Sequence, residues 1–228
     1  MRALRWLVVL GLLAGGTFLG LRHLPPEWDP RAPLDVTASP NLMTGVKLRR
    51  LAIQPQACLA ALESSGLTVQ RVADRPSDIG CALENAVRLP NASRVTPASP
   101  VTTCRVAAAW LLFETHVMQP AARRHLGSEV AAVRHLGTQN CRNVYHRASG
   151  RRSQHATANA IDIAGFTLRD GRQVTLLRHW GSGGTEAAFL RELRDGACGF
   201  YRAVLGPEYN AAHRDHFHFD MGPWRACR

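Results

Sequence analysis

The spacing of apolar residues changes several times along this chain, and each change predicts a different element. Over residues 103–127 the apolar positions recur at helical spacing, with Pro120 as a point where the helix can kink. A second helix is predicted over residues 185–205, because the Gly-Pro pair at 206–207 would end it there.

Other segments have the alternation and composition of β-strands. Strands are predicted over residues 68–72, 130–136, 160–166, 173–177 and 215–221. The Asp-Gly pair at 170–171 is a turn signal between the third and fourth strands, and a short helix over residues 58–67 precedes the first. Because helices and hairpin-like strands occur in separate runs, the predicted fold class is α+β.

The N-terminal part of the chain has a different pattern. Two arginines precede an uncharged, largely apolar run over residues 6–21, so residues 1–23 are predicted to be a signal anchor or a signal peptide. No small-x-small cleavage site follows the run, which favours the anchor. Prolines punctuate residues 24–50, which we interpret as a tether, and the globular domain is predicted over residues 51–228.

Composition and charge narrow the possible partners. The chain has 228 residues, 46% of them hydrophobic, which excludes a disordered chain. Its formal charge of +11 comes almost entirely from arginine, since Lys47 is the only lysine. Such a charge permits nucleic acid, an anionic membrane or an acidic polymer as partner. Export argues against nucleic acid, so we expect a periplasmic protein held at the inner membrane by its N-terminal segment, or one secreted after cleavage.

The cysteines are even in number and widely spaced. They are Cys58, Cys81, Cys104, Cys141, Cys198 and Cys227. In an exported domain they predict three disulfides, whose connectivity the spacing leaves open. A sequential pairing (58–81, 104–141, 198–227) is the working hypothesis, and a catalytic thiol is the alternative.

Histidines and one aspartate form the candidate chemical site. On a strand over residues 215–221, His216, His218 and Asp220 would share one face, while the opposite face, Phe217, Phe219 and Met221, would enter the core. Asp162 lies in an apolar strand, where a carboxylate needs a partner or a metal, and His155 lies seven residues earlier. Two histidines and one carboxylate would form a three-ligand zinc site with a position open for water. Taken singly, each is also explained as a surface, core or capping residue.

The segment SQHATANAIDIA at 153–164 and HFH at 216–218 resemble the H-x6-D and H-x-H signatures of a zinc peptidase superfamily. That superfamily includes penicillin-insensitive murein endopeptidases, D-alanyl-D-alanine carboxypeptidases and hedgehog domains. More closely, NAIDIAGF at 159–166, DGAC at 195–198 and LGPEYNAAHRDHFHFDMG at 205–222 resemble the bacterial extensin-like C-terminal domain family. The resemblance covers about residues 50–228.

The resemblance implies roles for individual residues. It places His155, Asp162 and His218 as zinc ligands, His216 as the non-ligand histidine, and His213 as a further active-site histidine. Asp215 stands where the carboxypeptidase branch has a glutamate. The general base is therefore open between His216 and Asp215, with His213 expected to stabilise an oxyanion. The implied fold is a small antiparallel sheet that carries the zinc site and packs with helices, as in hedgehog and D-Ala-D-Ala peptidase domains.

The function expected from these features is a zinc-dependent amide hydrolase that acts on peptidoglycan stem peptides or their crosslinks. Arg151 and Arg152, next to Ser153, would hold a stem-peptide carboxylate, unless they form an ordinary solvated loop. The alternatives are a non-catalytic, zinc-containing module that binds the cell wall, and a D-alanyl-D-alanine carboxypeptidase. No protein partner is indicated.

Overall fold

The structure, a computed structural model, describes residues 2–90 and 93–228. Met1, the first residue of the predicted export segment, lies outside them. The helices are α1 (Arg2–Arg22), α2 (Leu42–Arg50), α3 (Pro55–Glu63), α4 (Cys104–Phe113), α5 (Gln119–Leu126), α6 (Leu176–His179) and α7 (Gly184–Ala197). The strands are β1 (Gln70–Val72), β2 (Ala86–Arg88), β3 (Arg94–Thr96), β4 (Val101–Thr103), β5 (Val130–Gly137), β6 (Ala160–Leu168), β7 (Gln173–Thr175), β8 (Ala203–Leu205), β9 (Phe217–Asp220) and β10 (Ala226–Cys227).

The described strands form two sheets. The smaller is antiparallel, in the order β1–β2–β4, and the larger has the order β10–β8–β9–β6–β5–β3, with β7 also paired to β6. The central pairs of the larger sheet are antiparallel, but β3–β5 and β8–β10 at its edges are parallel. The α+β class is therefore confirmed. The predicted small antiparallel sheet is wrong at the edges, because the crossover through α4 and α5 lets β3 run parallel to β5.

The helical stretch predicted over residues 103–127 is confirmed, with an irregularity in its middle. Between α4 and α5 the chain makes a π-helical turn, Glu114–Met118, immediately before the turn that contains Pro120. Proline cannot donate a backbone hydrogen bond, and a π-turn is one way to accommodate it. Gly127, at φ 66°, ends α5 in the left-handed conformation that glycine adopts readily.

The second long helix is shorter than predicted. It ends at Ala197, and residues 203–205 form β8, which pairs with β9 in the register Leu205↔His218. The pairing of β8 with β9 outweighs the helical spacing of the apolar residues up to 205. That pairing cannot be predicted from the local sequence.

Three disulfides form, and all six cysteines lie within the described residues. They are Cys58–Cys104, Cys81–Cys141 and Cys198–Cys227. The prediction of three bridges is confirmed, but the sequential pairing is correct only for the last. The other two predicted pairs are wrong. Because α3 packs against α4, Cys58 lies beside Cys104 at the start of α4 rather than beside Cys81.

The segment predicted as a tether packs onto the domain from residue 34 onward. Leu34 and Leu48 belong to the hydrophobic core. Lys47 is buried on α2, and its Nζ donates to the carbonyl oxygen of Pro26 at 2.6 Å. These leucines belong to the same buried cluster as the rest of the domain, so residues from 34 onward pack against it although prolines punctuate the segment. In the described part of the chain, no helix has both the length and the apolarity that crossing a membrane requires.

Candidate metal centre

The first histidine of the site lies in a short loop that is fixed at both ends. Ser153 is the N-cap of a 3₁₀ turn over Gln154–Thr157, and its Oγ accepts from the backbone N of His155 at 3.3 Å. Ala158 ends the turn in the left-handed conformation. His155 is 3% exposed, so its imidazole enters the domain from the loop.

The other two site residues lie on neighbouring strands. Asp162 on β6 and His218 on β9 are direct partners in the antiparallel register, which places their side chains on the same face of the sheet. Phe217 and Phe219 point to the opposite face and are fully buried. The alternation predicted for residues 215–221 is confirmed for residues 217–220, the extent of β9.

Three ligand atoms converge between these elements. His155 Nε2 lies 3.1 Å from Asp162 Oδ1 and 3.1 Å from His218 Nδ1, and His218 Nδ1 lies 2.9 Å from Asp162 Oδ1. This group can hold a metal ion. Its members come from a loop and two strands, so the fold brings them together as the sequence predicted.

The second nitrogen of each imidazole is already engaged. His155 Nδ1 donates to the carbonyl oxygen of Thr138 at 3.3 Å, and His218 Nε2 donates to Asp220 Oδ2 at 2.9 Å. In the neutral imidazoles these bonds place the protons away from the centre, so both inner nitrogens present lone pairs toward the Asp162 carboxylate. Three electron-pair donors at about 3 Å repel one another unless a proton or a metal ion lies between them.

The aspartates and histidines of the site shift one another's pKa values. Burial acts to raise the pKa of Asp162, but the hydrogen bonds and charges of His155 and His218 outweigh it and hold that pKa well below its usual range. Burial acts to lower the pKa of His218, but the hydrogen bonds to Asp162 and Asp220 raise it to about 9. When no metal ion is bound, a proton on His218 therefore compensates the negative charges of Asp162 and Asp220.

Asp220 belongs to this site, although sequence reasoning did not select it as a functional residue. Its Oδ1 accepts from the backbone N of Gly222 at 2.8 Å, which leaves Oδ2 for His218. The strand alternation already placed Asp220 on the same face as His218. The face that Asp220 shares with His218 was therefore the sequence signal that could have identified it as a site residue.

A histidine–aspartate pair stands next to the ligand group. His216 Nδ1 donates to Asp215 Oδ1 at 2.9 Å, and His216 Nε2 lies 3.9 Å from Asp162 Oδ1. The hydrogen bond from His216 lowers the pKa of Asp215. The pair therefore holds the imidazole with a lone pair on the nitrogen that faces the ligands, which is the orientation a general base needs.

His213, the residue expected to stabilise an oxyanion, is hydrogen-bonded to Asn210. Asn210 Oδ1 accepts from the backbone N of Ala212, so it is an acceptor, and His213 Nδ1 must donate to it at 2.8 Å. Burial, followed by the charges of His218 and His216, lowers the pKa of His213 to about 4. At neutral pH its Nε2 is therefore an acceptor, and the expected oxyanion role would require an N–H there.

A cavity of about 610 Å³ opens over the histidines, a size typical of ligand sites. The three predicted substrate residues all line it, but two have other partners. Arg152 donates to Ile79 O and Asn143 Oδ1, and Ser153 caps the His155 turn. Arg151 remains exposed and lies 5.9 Å from the ring centroid of Trp224, which is also exposed.

Residues 56–228 match the family model described as extensin-like protein C-terminus. No curated protein and no solved structure matched the chain. The matched range includes the ligand group, its flanking histidines and all six cysteines. The chain therefore belongs to the family of extensin-like protein C-termini.

Proposed function

We propose that His155, Asp162 and His218 bind a zinc ion. The observation that carries this proposal is the convergence of two imidazole nitrogens and one carboxylate oxygen, with the outer nitrogen of each imidazole oriented by Thr138 O or Asp220. The ligand atoms are 2.9–3.1 Å apart, close to the roughly 3.3 Å between ligands about 2.0 Å from a tetrahedral zinc. When bound, zinc supplies a Lewis acid that lowers the pKa of water and polarises a carbonyl group.

The reaction that we propose is hydrolysis of an amide bond in peptidoglycan stem peptides or their crosslinks. Three protein ligands support it, because structural zinc sites normally have four. In this proposal His216 is the general base: its Nε2 takes the proton from water and returns it to the leaving amine. Asp215 is a positioning residue that holds the His216 tautomer, which its 2.9 Å hydrogen bond supports.

His213 and Arg151 have binding roles in this proposal. A neutral His213 accepts a hydrogen bond from a substrate N–H at Nε2, since its Nδ1 proton is committed to Asn210. Arg151 binds a carboxylate of the stem peptide at the rim of the cavity, with Trp224 as an apolar surface beside it. Arg152 and Ser153 support the loop that carries them.

Relationship to the zinc peptidase superfamily and its hedgehog-like fold is part of the same proposal. It rests on the two short sequence signatures and on the strand pair that carries Asp162 and His218. A wall-binding module that keeps zinc without catalysis is the second candidate. The His216–Asp215 pair favours the hydrolase over the wall-binding module, because a purely structural zinc site does not require an oriented general base beside it. The carboxypeptidase is the weaker candidate, because Asp215 is one methylene shorter than the glutamate found there.

We propose the periplasm as the site of action, with attachment to the inner membrane through residues 1–23 or release after cleavage. Three disulfides support an oxidising compartment. Fractionation of cells, with detection of an intact or shortened N-terminus, distinguishes the anchored from the cleaved form.

The function is tested by incubating the zinc-loaded chain with purified muropeptide dimers and measuring the monomers released. We expect cleavage by the wild type and by His125→Ala, a control histidine that pairs with Glu192 away from the site. Full zinc loading without any cleavage would identify the binding module instead. Release of terminal D-alanine without loss of crosslinks would identify the carboxypeptidase.

The same assay assigns the base. His216→Ala is expected to lower kcat by roughly 10²–10⁴-fold, the usual contribution of general base catalysis. Asp215→Asn should have a smaller effect and shift the pH profile, because it only weakens the orientation of His216. A larger loss in Asp215→Asn than in His216→Ala would reverse the two roles.

A further inference from the structure

A second pocket, of about 330 Å³, lies between α2, the residues after α7 and the C-terminal segment. Four arginines line it: Arg49, Arg105, Arg202 and Arg225. The described residues that line it include no aspartate or glutamate, and none of them lines the cavity over the histidines. The described residues of this pocket therefore concentrate positive charge.

Among the four arginines, Arg105 is the one whose positive charge lies in unfavourable surroundings. It is half-buried in the first turn of α4, where the helix dipole is already positive. Its Nη1 donates to Met221 O at 3.3 Å, while its Nε is buried and has no hydrogen-bond partner among the residues that the structure describes. Burying a guanidinium nitrogen without a partner is costly, and a bound acceptor would remove the cost.

The charges around Arg105 have the same sign as its own. Burial, followed by the charges of Arg202 and Arg49, lowers the pKa of Arg105. Asp74 and Glu84 line an adjoining cavity, but neither forms an ion pair with it. Among the ion pairs of residues 2–90 and 93–228, none includes any of the four arginines.

We propose that this pocket binds a phosphate group. Guanidinium groups match the oxygens of phosphate in geometry, and a dianion neutralises more of the clustered charge than a single carboxylate does. Arg105 forms the floor of the site, and Arg49 and Arg225, which are exposed, form its rim. A free phosphorylated compound and an anionic lipid headgroup carry the same recognised group.

The test measures binding of inorganic phosphate and of pyrophosphate to the full chain by titration calorimetry. The chain is first dialysed against a chelator, so that phosphate cannot bind a metal ion at the histidines and the result does not depend on the proposed hydrolase. We expect saturable binding that Arg105→Gln weakens at least about tenfold, as loss of a charge-assisted hydrogen bond predicts. Arg225→Gln is the second variant, because an exposed side chain can be replaced without affecting folding.

The matched control is Arg71→Gln, which removes the same charge from an exposed strand position outside the pocket. It should bind phosphate as the wild type does. Vesicles of phosphatidylcholine with and without phosphatidylglycerol then distinguish the sources: binding to the anionic vesicles that is lost in Arg105→Gln indicates a lipid headgroup, and phosphate binding alone indicates a free ligand. Absence of saturable phosphate binding, or an equal loss in Arg71→Gln, would overturn the proposal.

Discussion

Two hydrogen bonds outside the ligand group determine the state of its histidines. The bonds from His155 to Thr138 O and from His218 to Asp220 keep the outer nitrogens protonated. Ligating histidines in proteins commonly have such a partner, which orients the ring and raises its basicity. The site therefore depends on Asp220 although that residue contributes no ligand atom.

Replacing Asp220 tests this dependence. We expect Asp220→Asn to weaken zinc binding by roughly 10–100-fold, because His218 loses the carboxylate that fixes its tautomer. Zinc affinity is measured by competition with a chromophoric chelator. Asp195→Asn, an exposed aspartate on α7, is the control and should bind zinc as the wild type does. Equal affinities in the two variants would contradict the assigned role.

The metal-free protein should lose stability as the pH rises. The pKa of His218, about 9 despite burial because of Asp162 and Asp220, lies above its ordinary value of 6.5. Its contribution to stability is therefore fully present below pH 6.5 and is lost as the pH rises through 9. Thermal unfolding of chelator-treated protein between pH 6 and 9 should show this decline, and His218→Ala should reduce it. An unchanged profile in that variant would contradict the pKa assignment.

At the scale of single residues, the sequence predicted the members of the site but not their hydrogen-bonding states. Strand alternation, which is a short-range pattern, indicated the faces of Asp162 and His218, and the resemblance to the H-x6-D and H-x-H signatures implied that they are ligands. The tautomer of His213 depends on Asn210, whose acceptor role is set by a backbone N–H. Such a state is fixed only by the folded loop, so it could not be inferred from the sequence.

At the scale of elements, α7 and the π-helical turn approach each other so closely that one position tolerates no side chain. A Cβ at Gly196 would lie 2.8 Å from Val117 Cγ2, closer than packed carbon atoms approach. The absence of a side chain at this position lets the two helical segments pack against each other.

Substitution of this glycine should be destabilising. Replacing glycine by alanine inside a helix normally stabilises it by about 0.5–1 kcal/mol, but at Gly196 overpacking against Val117 should cost about 1–3 kcal/mol. Gly45→Ala in α2 is the matched control, because the nearest atom to its Cβ is 3.8 Å away. Urea unfolding should show a lower free energy of unfolding for Gly196→Ala only. Stabilisation by both substitutions would contradict the packing described.

The elements that the sequence predicted well are those whose pattern is local. In α4 nearly every residue is apolar and buried, and in β9 the two phenylalanines alternate with polar residues, so these local patterns identified both elements. The end of α7 and the first two disulfides depend on which distant segments meet. Leu205 becomes a strand residue only because β9 lies beside it.

The whole domain is larger than its family match. The match begins at residue 56, but the core includes Leu34, Leu48 and Leu51, and α2 also forms one wall of the arginine pocket. The family motif therefore does not mark the physical boundary of the folded unit.

Truncation tests this boundary. A chain that begins at residue 52 should be less stable by at least about 3 kcal/mol, because it loses several buried leucine side chains worth about 1.5–3 kcal/mol each. A chain that begins at residue 24 keeps them and is the control. Denaturant unfolding of both chains measures the difference. Equal stability would instead support the prediction that residues 24–50 are a tether.

The central claim is that a zinc ion on His155, Asp162 and His218 is required to hydrolyse peptidoglycan crosslinks. It is tested most directly by titrating zinc into the chelator-treated chain while the release of monomers from muropeptide dimers is followed. We predict that activity rises from zero and reaches a plateau at about one zinc per chain, and that His155→Ala and His218→Ala remain inactive. Cleavage that persists in these variants, or that needs no zinc, would contradict the assignment.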